Sequence, residues 1–302
     1  MAQVYTSPML VDVDAAVIAN TRLSEDYSVL ALAAPAIAAA ARPGQFVMLK
    51  TSRGMDPLLR RPFSIFEILR DAGGTPTGLT IFNKRIGKGT SLLYEVEAGA
   101  HVQCLGPLGQ PFEPVDPPAH AWMVAGGVGL APFVTLAEAL LARGTPVSLF
   151  YGAGRAQDLH KIETFEQLGV RVTASTEDGS RGAHGRITVP LEEQLARIEA
   201  NSPLRVYVCG PTPMMRAVAL LAASFGRACD VSLEQVMGCG LGGCYSCVVL
   251  AKDHRGIPHH TRSCIDGPVF EATRIVWDAL AHLPPTCTIC PSRSAHSPSP
   301  TP

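Results

Sequence analysis

Four cysteines in this 302-residue chain are spaced for metal–sulfur chemistry. Cys239, Cys244 and Cys247 follow a Cys-x4-Cys-x2-Cys pattern, and Cys264 stands seventeen positions beyond Cys247. This is the plant-type spacing for a 2Fe-2S cluster held by four thiolates. Such a cluster also needs backbone N–H groups near its sulfurs, where they stabilise negative charge and tune the reduction potential. Gly238, Gly240, Gly242 and Gly243 remove side chains that would block that approach. A zinc site could also use four cysteines, but zinc knuckles usually pair two Cys-x2-Cys units, and this stretch holds one.

Two further motifs suit phosphates and redox rings. In Arg61-Pro62-Phe63-Ser64 the arginine offers a fork of donors that matches a phosphate. Pro62 fixes its own backbone and pushes Arg61 extended, and Ser64 could hydrogen-bond the edge of a redox ring. Gly87 and Gly89, in Ile86-Gly87-Lys88-Gly89-Thr90, would let backbone N–H groups cradle a pyrophosphate. A lone strand-end arginine is a solvated charge; together the two segments read as a cofactor site.

Further on, Gly126, Gly127, Gly129 and Pro132 follow an apolar run and open a helix, which makes a phosphate site of backbone donors. The spacing is Gly-Gly-x-Gly-x-x-Pro, not Gly-x-Gly-x-x-Gly. Cys209 and Gly210 mark a second strand end, the edge at which open α/β sheets bind ligands. Cys209 is the catalytic candidate, since it could face a nicotinamide ring there; the competing reading is a buried strand-end cysteine. His184, in the polar loop 177–185, reads as solvated.

The elements that must position these residues fall into three parts, so the fold class is multidomain. Residues 1–115 carry six short β-rich runs (11–18, 28–32, 46–50, 63–69, 79–83 and 101–104) and predict an antiparallel β-barrel. The stretch 36–41, bracketed by Pro35 and Pro43, reads as a loop. After the proline-rich link 114–118, residues 119–228 alternate strands and helices and predict an α/β domain with a parallel sheet. Residues 229–280 form a small C-terminal plant-type 2Fe-2S domain, and 281–302 are expected to be a disordered tail holding Cys287 and Cys290.

Composition narrows the function classes. With 25 Lys+Arg against 26 Asp+Glu, no basic nucleic-acid surface and no polyacidic tail is expected. The longest apolar stretch, 121–137, is broken by glycines and Pro132 and is too short to span a membrane. The first residues lack the pattern of a signal peptide, so a cytoplasmic protein is expected, in which cysteines serve as ligands more often than as disulfides.

Taken together and in this order, the motifs over residues 8–280 resemble the ferredoxin-NADP reductase superfamily. Within it, the chain resembles the iron-sulfur flavoprotein electron-transfer subunits of class 1B dihydroorotate dehydrogenases. The most specific part is the segment 237–249 followed by 262–270. Arg61, Pro62, Phe63 and Ser64 match the family's flavin motif, and Gly89 and Thr90 match its pyrophosphate Gly-Thr. Phe82, Asn83 and Lys84 fall at its second flavin segment, where Asn83 replaces the usual tyrosine. The resemblance implies a FAD-binding barrel, an NAD-binding domain with NAD as substrate, and cluster ligands Cys239, Cys244, Cys247 and Cys264. It further implies electron relay to or from a dihydroorotate dehydrogenase catalytic subunit in pyrimidine biosynthesis, in a heterotetramer of two catalytic and two electron-transfer subunits. Two alternatives remain: the flavin subunit of a hydrogenase or sulfide dehydrogenase, and a zinc-stabilised module without redox chemistry.

Overall fold

The computed structural model describes residues 10–281, so the expectations for the later tail, with Cys287 and Cys290, lie outside the described residues. The first part comprises β1 (Val11–Arg22), β2 (Tyr27–Ala33), α1 (Pro35–Ala40), β3 (Phe46–Lys50), β4 (Arg61–Ser64), β5 (Ile68–Arg70), β6 (Pro76–Lys84), α2 (Lys88–Glu95) and β7 (His101–Leu108). Its strands form one antiparallel half-barrel in the order β4-β3-β7-β1-β2-β6-β5. Alternation along β3 is informative. Val47 and Leu49 point into the barrel core with Leu30, Leu32, Ile37 and Ile81, whereas Phe46 and Met48 point to the opposite face.

Two expectations change here. The run 63–69 is two strands: after β4 the chain turns across to β6, where Phe66 N–H donates to Thr80 O at 2.9 Å, before β5 begins. The stretch read as a loop forms α1, because Pro35 sits in the first turn, where its missing N–H costs no intrahelical bond, and Ile37 and Ala38 are buried.

The second part begins with β8 (His120–Gly126), a 3-10 turn (Gly127–Leu130) and α3 (Phe133–Leu141). It continues through β9 (Val147–Ala153), α4 (Ile162–Gln167), β10 (Arg171–Thr176), β11 (Ala183–His184), α5 (Thr188–Arg197), β12 (Leu204–Cys209), α6 (Thr212–Ser224) and β13 (Ala228–Ser232). The hairpin β14 (Val248–Lys252) and β15 (Pro258–Arg262) follows, then β16 (Val269–Glu271) and α7 (Trp277–Ala281). The main sheet has the order β11-β10-β9-β8-β12-β13-β16 and is parallel except for β16. From β8 the chain first winds outward through β9 and β10, then returns to the other side of β8 as β12. The switch point therefore lies between β8 and β12, and a crevice opens at their C-terminal ends.

The C-terminal segment is woven into both neighbours. β13 and β16 extend the parallel sheet, while Met237, Cys247 and Cys264 pack on Phe46, Met48, Leu105 and Leu108 of the half-barrel. Gln110 fastens the seam: its N–H donates to Gly267 O and its side-chain amide to Ile265 O at 3.0 Å. A second seam, between half-barrel and sheet, buries Tyr27, Phe66, Phe82 and Phe112 with Phe133, Leu136 and Tyr207. Among the described residues no helix is long and apolar enough to cross a membrane.

Candidate functional site

The four predicted cluster cysteines come together in the loop 239–247 and the turn after β15. Cys247 and Cys264 are buried, Cys239 is half-buried and Cys244 is exposed. The thiols divide into two interacting pairs. Cys264 hydrogen-bonds Cys247, and burial first, then that contact, pushes its thiol up to about 12. Cys244 interacts with Ser246, whose Oγ lies 3.1 Å from its sulfur, and with Cys239; these hydrogen bonds lower its pKa to about 6. Among the described residues no three His, Cys, Asp or Glu side chains converge on one ion.

Backbone donors already face these sulfurs. Leu241 N–H points at Cys239 Sγ at 3.3 Å, and Gly242 N–H approaches Cys264. The glycines have separate jobs. A Cβ at Gly238 would stand 3.1 Å from Cys244 Sγ, while Gly240, with φ +74°, lies so close to β3 that a Cβ would stand 2.6 Å from Met48 Cγ. The loop is thus glycine-rich both to reach sulfur and to lie flat on the half-barrel.

The flavin motif and the Gly-Thr segment meet at the start of α2. A Cβ on Gly89 would stand 3.3 Å from Thr51 Oγ1 and 3.4 Å from Arg61 Cγ, so the bare glycine leaves a cradle between them. Thr51 is 8% exposed, and its hydroxyl has no partner. The Arg61 guanidinium donates to the carbonyls of Leu59 and Arg60, which turns it along the loop beside the cradle. Pro62, Phe63 and Ser64 lie half-buried on edge strand β4. Thr90 Oγ1 accepts from Ile86 N–H at 2.9 Å and Gly87 N–H at 3.0 Å, so its hydroxyl locks the turn that opens α2.

The second flavin segment is placed differently from expectation. Asn83 is fully buried; its amide donates to Thr90 O at 3.1 Å and Ser28 Oγ at 3.4 Å, and its Oδ1 is unpartnered. It therefore holds the Thr90 turn from behind and presents no surface for stacking. Phe82 is buried in the seam with Tyr27, Phe66 and His160, and Lys84 Nζ lies 5.0 Å over the Tyr27 ring.

The switch-point crevice is built by close backbone approach. A Cβ on Gly129 would stand 2.4 Å from Cys209 O; one on Gly126 would stand 2.7 Å from Met214 Sδ; one on Gly210 would stand 3.0 Å from Gly126 N. These glycines let the ends of β8 and β12 touch. Gly127 differs: it has φ +55° with open space around its Cβ position, so it faces the crevice mouth. Pro132 caps α3. Cys209 ends β12 at this edge. Its thiol is 1% exposed and hydrogen-bonded with Ser232, and burial raises its pKa far above the usual thiol range, so it is a neutral wall residue.

Two residues at this site escaped the sequence reading. Thr51 ends β3 with no motif around it. Glu234 lies just past β13 at the same sheet edge as Cys209; its carboxyl pKa is raised by the surrounding protein, and its charge raises that of Cys209. An acid following a strand end was its only sequence signal.

The cradle and the cluster loop are neighbours through β3. Met48 pairs with Pro62 of β4 in the antiparallel register, and its side chain touches Gly240 of the cluster loop. The flavin motif and the cysteine loop thus both lie against this one strand.

Comparison with known proteins agrees with this arrangement. Residues 234–276 match the iron-sulfur cluster binding domain of dihydroorotate dehydrogenase B, and residues 123–219 match an oxidoreductase NAD-binding domain. The chain is 36% identical over 88% of its length, and 98% of the relative's, to the dihydroorotate dehydrogenase B (NAD(+)) electron transfer subunit of Desulforamulus reducens. Among solved structures, the NADH-dependent reduced ferredoxin-NADP oxidoreductase described for flavin-based electron bifurcation aligns with TM-score 0.76 and 26% identity, over 89% of this chain and 92% of that one. A ferredoxin NADP+ reductase from Neisseria gonorrhoeae with bound FAD and NADP shares the fold, with TM-score 0.60 and 18% identity over 72% of this chain and 92% of that one. The chain therefore belongs to the family of electron transfer subunits of dihydroorotate dehydrogenase B.

Proposed function

We propose that this chain carries electrons between NAD(H), a FAD on the half-barrel and a 2Fe-2S cluster, and exchanges them with a dihydroorotate dehydrogenase catalytic subunit in the cytoplasm. The observation that carries the reading is the placement of the phosphate cradle and the cysteine loop on either side of β3. When bound, FAD takes up electrons as a pair and releases them singly, and a 2Fe-2S cluster relays single electrons.

The residues fit both groups. Arg61, Thr51, Gly89 and the α2 N-terminus would hold the FAD pyrophosphate, with Thr90 and Asn83 keeping the turn in place. Pro62, Phe63 and Ser64 would line the ring along β4. The two thiol pairs, Cys239 with Cys244 and Cys247 with Cys264, suit two irons that each need two thiolates. A single zinc would need all four on one centre. Gly126, Gly127, Gly129 and Gly210 would bring the NAD pyrophosphate to the switch point, with Cys209 and Glu234 walling the nicotinamide end. Cys244, the exposed ligand, is flanked by the exposed side chains of Leu241 and Tyr245. This is the side on which a catalytic subunit would receive or deliver electrons, in an assembly of two subunits of each kind.

The test is cofactor content together with Cys244→Ser. Anaerobically purified protein should hold one FAD, two irons and two sulfides per chain. The variant should lose iron and sulfide and transfer to the partner, yet keep NADH-to-dye activity. Zinc in place of iron, or unchanged transfer by the variant, would overturn the reading.

A further inference from the structure

The loop between β9 and α4 carries one side chain across to the half-barrel. His160 lays its ring 4.5 Å from the Tyr27 ring of β2 and edge-on to Phe82 of β6 at 6.4 Å. Tyr27 and Phe82 are 1% and 4% exposed, so the contact lies in the buried seam between half-barrel and sheet. His160 Nε2 is buried there without a hydrogen-bond partner. No part of the electron relay described above uses it.

The backbone is strained where this contact is made. Lys161, the next residue, has φ 64° and ψ 20°, a left-handed conformation that a residue with a side chain keeps only where its surroundings impose it. The residues that His160 meets also bear on the phosphate cradle. Phe82 and Lys84 flank Asn83 on β6; strand alternation sends those two to the seam, while Asn83 braces the Thr90 turn on the other face. At its other end, the loop leaves the C-terminal end of β9, beside β8 and the switch-point crevice. One ring therefore joins the strand behind the cradle to the sheet edge that forms the crevice.

The seam favours the neutral ring. Lys84 Nζ lies 5.0 Å over the Tyr27 ring, so that aromatic face already holds one cation. The other titratable groups around His160 are Asp158, paired with Arg155 at 3.3 Å; Glu163 in the first turn of α4; Lys161, whose Nζ lies 6.0 Å over the Phe66 ring; and Tyr151, whose hydroxyl lies against the His160 backbone. Burial lowers the histidine pKa, and it outweighs the opposing pull of Asp158 and Glu163. We infer that His160 is a positioning residue: its neutral ring keys the NAD-binding sheet onto the half-barrel and sets the angle at which the crevice meets the flavin strand β4, an inference that rests on the FAD reading above. Protonation puts a second cation beside Lys84 and loosens the seam. NADH still binds, since the crevice glycines are untouched, but hydride transfer slows because the reacting atoms lose their alignment.

The cofactor-loaded chain is mixed anaerobically with NADH in a stopped-flow instrument from about pH 5 to about pH 8, and bleaching of the flavin band is followed. In the unmodified chain the limiting rate should fall by about tenfold or more on the acid side, through an ionisation below the ordinary histidine value of 6.5. The NADH concentration giving half that rate should stay within about twofold. His160→Phe supplies a ring that takes no proton and should keep the neutral-pH rate down to the acid end. His160→Ala empties the contact and should show the slow rate at every pH. Small-angle X-ray scattering of the same samples reads the seam apart from turnover: the radius of gyration should rise at acid pH in the unmodified chain and stay fixed in His160→Phe. Circular dichroism checks the fold, and if the alanine variant does not fold, the phenylalanine variant decides. An unmodified chain whose rate is flat with pH, an equal acid fall in His160→Phe, or an alanine effect confined to NADH affinity overturns the inference and leaves the FAD reading standing. A chain that binds no FAD overturns that reading, and the inference with it.

Discussion

Replacing Gly129 with alanine tests the crevice at its tightest point. The new methyl would stand 2.4 Å from Cys209 O, 2.5 Å from Cys209 C and 2.6 Å from Gly210 Cα. All three are backbone atoms in the middle of a seven-stranded sheet, so no side-chain rotation relieves the clash. Overpacking of a filled core costs about 1–3 kcal/mol. The Gly126–Gly129 turn must move away from the end of β12, and the two halves of the dinucleotide site then separate. If about half of that cost, at its upper end, falls on binding, NADH affinity drops by about tenfold, since 1.4 kcal/mol is one decade. The assay is steady-state NADH-to-ferricyanide kinetics beside thermal unfolding. The KM for NADH should rise by about tenfold while flavin content stays unchanged, because the cradle is on the half-barrel. The melting temperature should fall by about 2–4 °C for each kcal/mol. An unaltered KM together with an unaltered melting temperature would refute the close approach of β8 and β12.

Three further outcomes are expected. Gly89→Ala puts a methyl 3.3 Å from Thr51 Oγ1 and 3.4 Å from Arg61 Cγ, tight contacts that close the cradle, while it raises helix propensity by about 1 kcal/mol, so stability should change little while FAD affinity falls about tenfold; unchanged FAD affinity would remove Gly89 from the cradle. Asn83→Leu leaves the Thr90 carbonyl and the Ser28 hydroxyl without their shared donor, at a cost of about 1–3 kcal/mol, and should speed FAD loss on dialysis; full retention would contradict the bracing role. His160 has its pKa lowered by burial against Tyr27, and its Nε2 is buried without a partner. Its neutral form is favoured in the fold, so its stability contribution is complete above about pH 6.5 and is lost as the pH falls toward the lowered folded value. His160→Phe should flatten that part of the pH dependence of melting; an identical pH profile would place the acid sensitivity elsewhere.

The chemistry-bearing residues were legible in the sequence because their signals are local. The Cys239–Cys247 spacing, the glycine turns, the Arg61–Ser64 run and the Gly87–Thr90 run are each short and can be read without the fold. What was hidden depends on pairing across the chain. That Met48 and not Val47 faces the cluster loop is a matter of strand pleat and register. Asn83 reads as a cofactor contact by position, but its strand neighbours β2 and α2 bury it and turn its amide to Ser28 and Thr90. Cys209 is placed at a strand end by the sequence, and the depth at which it is buried depends on the flanking strands β8 and β13. Thr51 carries no motif; its role comes from the approach of Gly89, about forty residues away in sequence.

The central claim is that electrons entering as NADH at the switch-point crevice reach the cysteine loop through the half-barrel. An anaerobic titration of the cofactor-loaded chain with NADH tests it directly, with visible absorbance followed and low-temperature electron paramagnetic resonance recorded at each addition. The account predicts bleaching of both flavin and cluster bands, the paramagnetic signal of a reduced 2Fe-2S centre in the unmodified chain, and no such signal in Cys244→Ser. Full reduction of the flavin with the iron-sulfur centre still oxidised would contradict it.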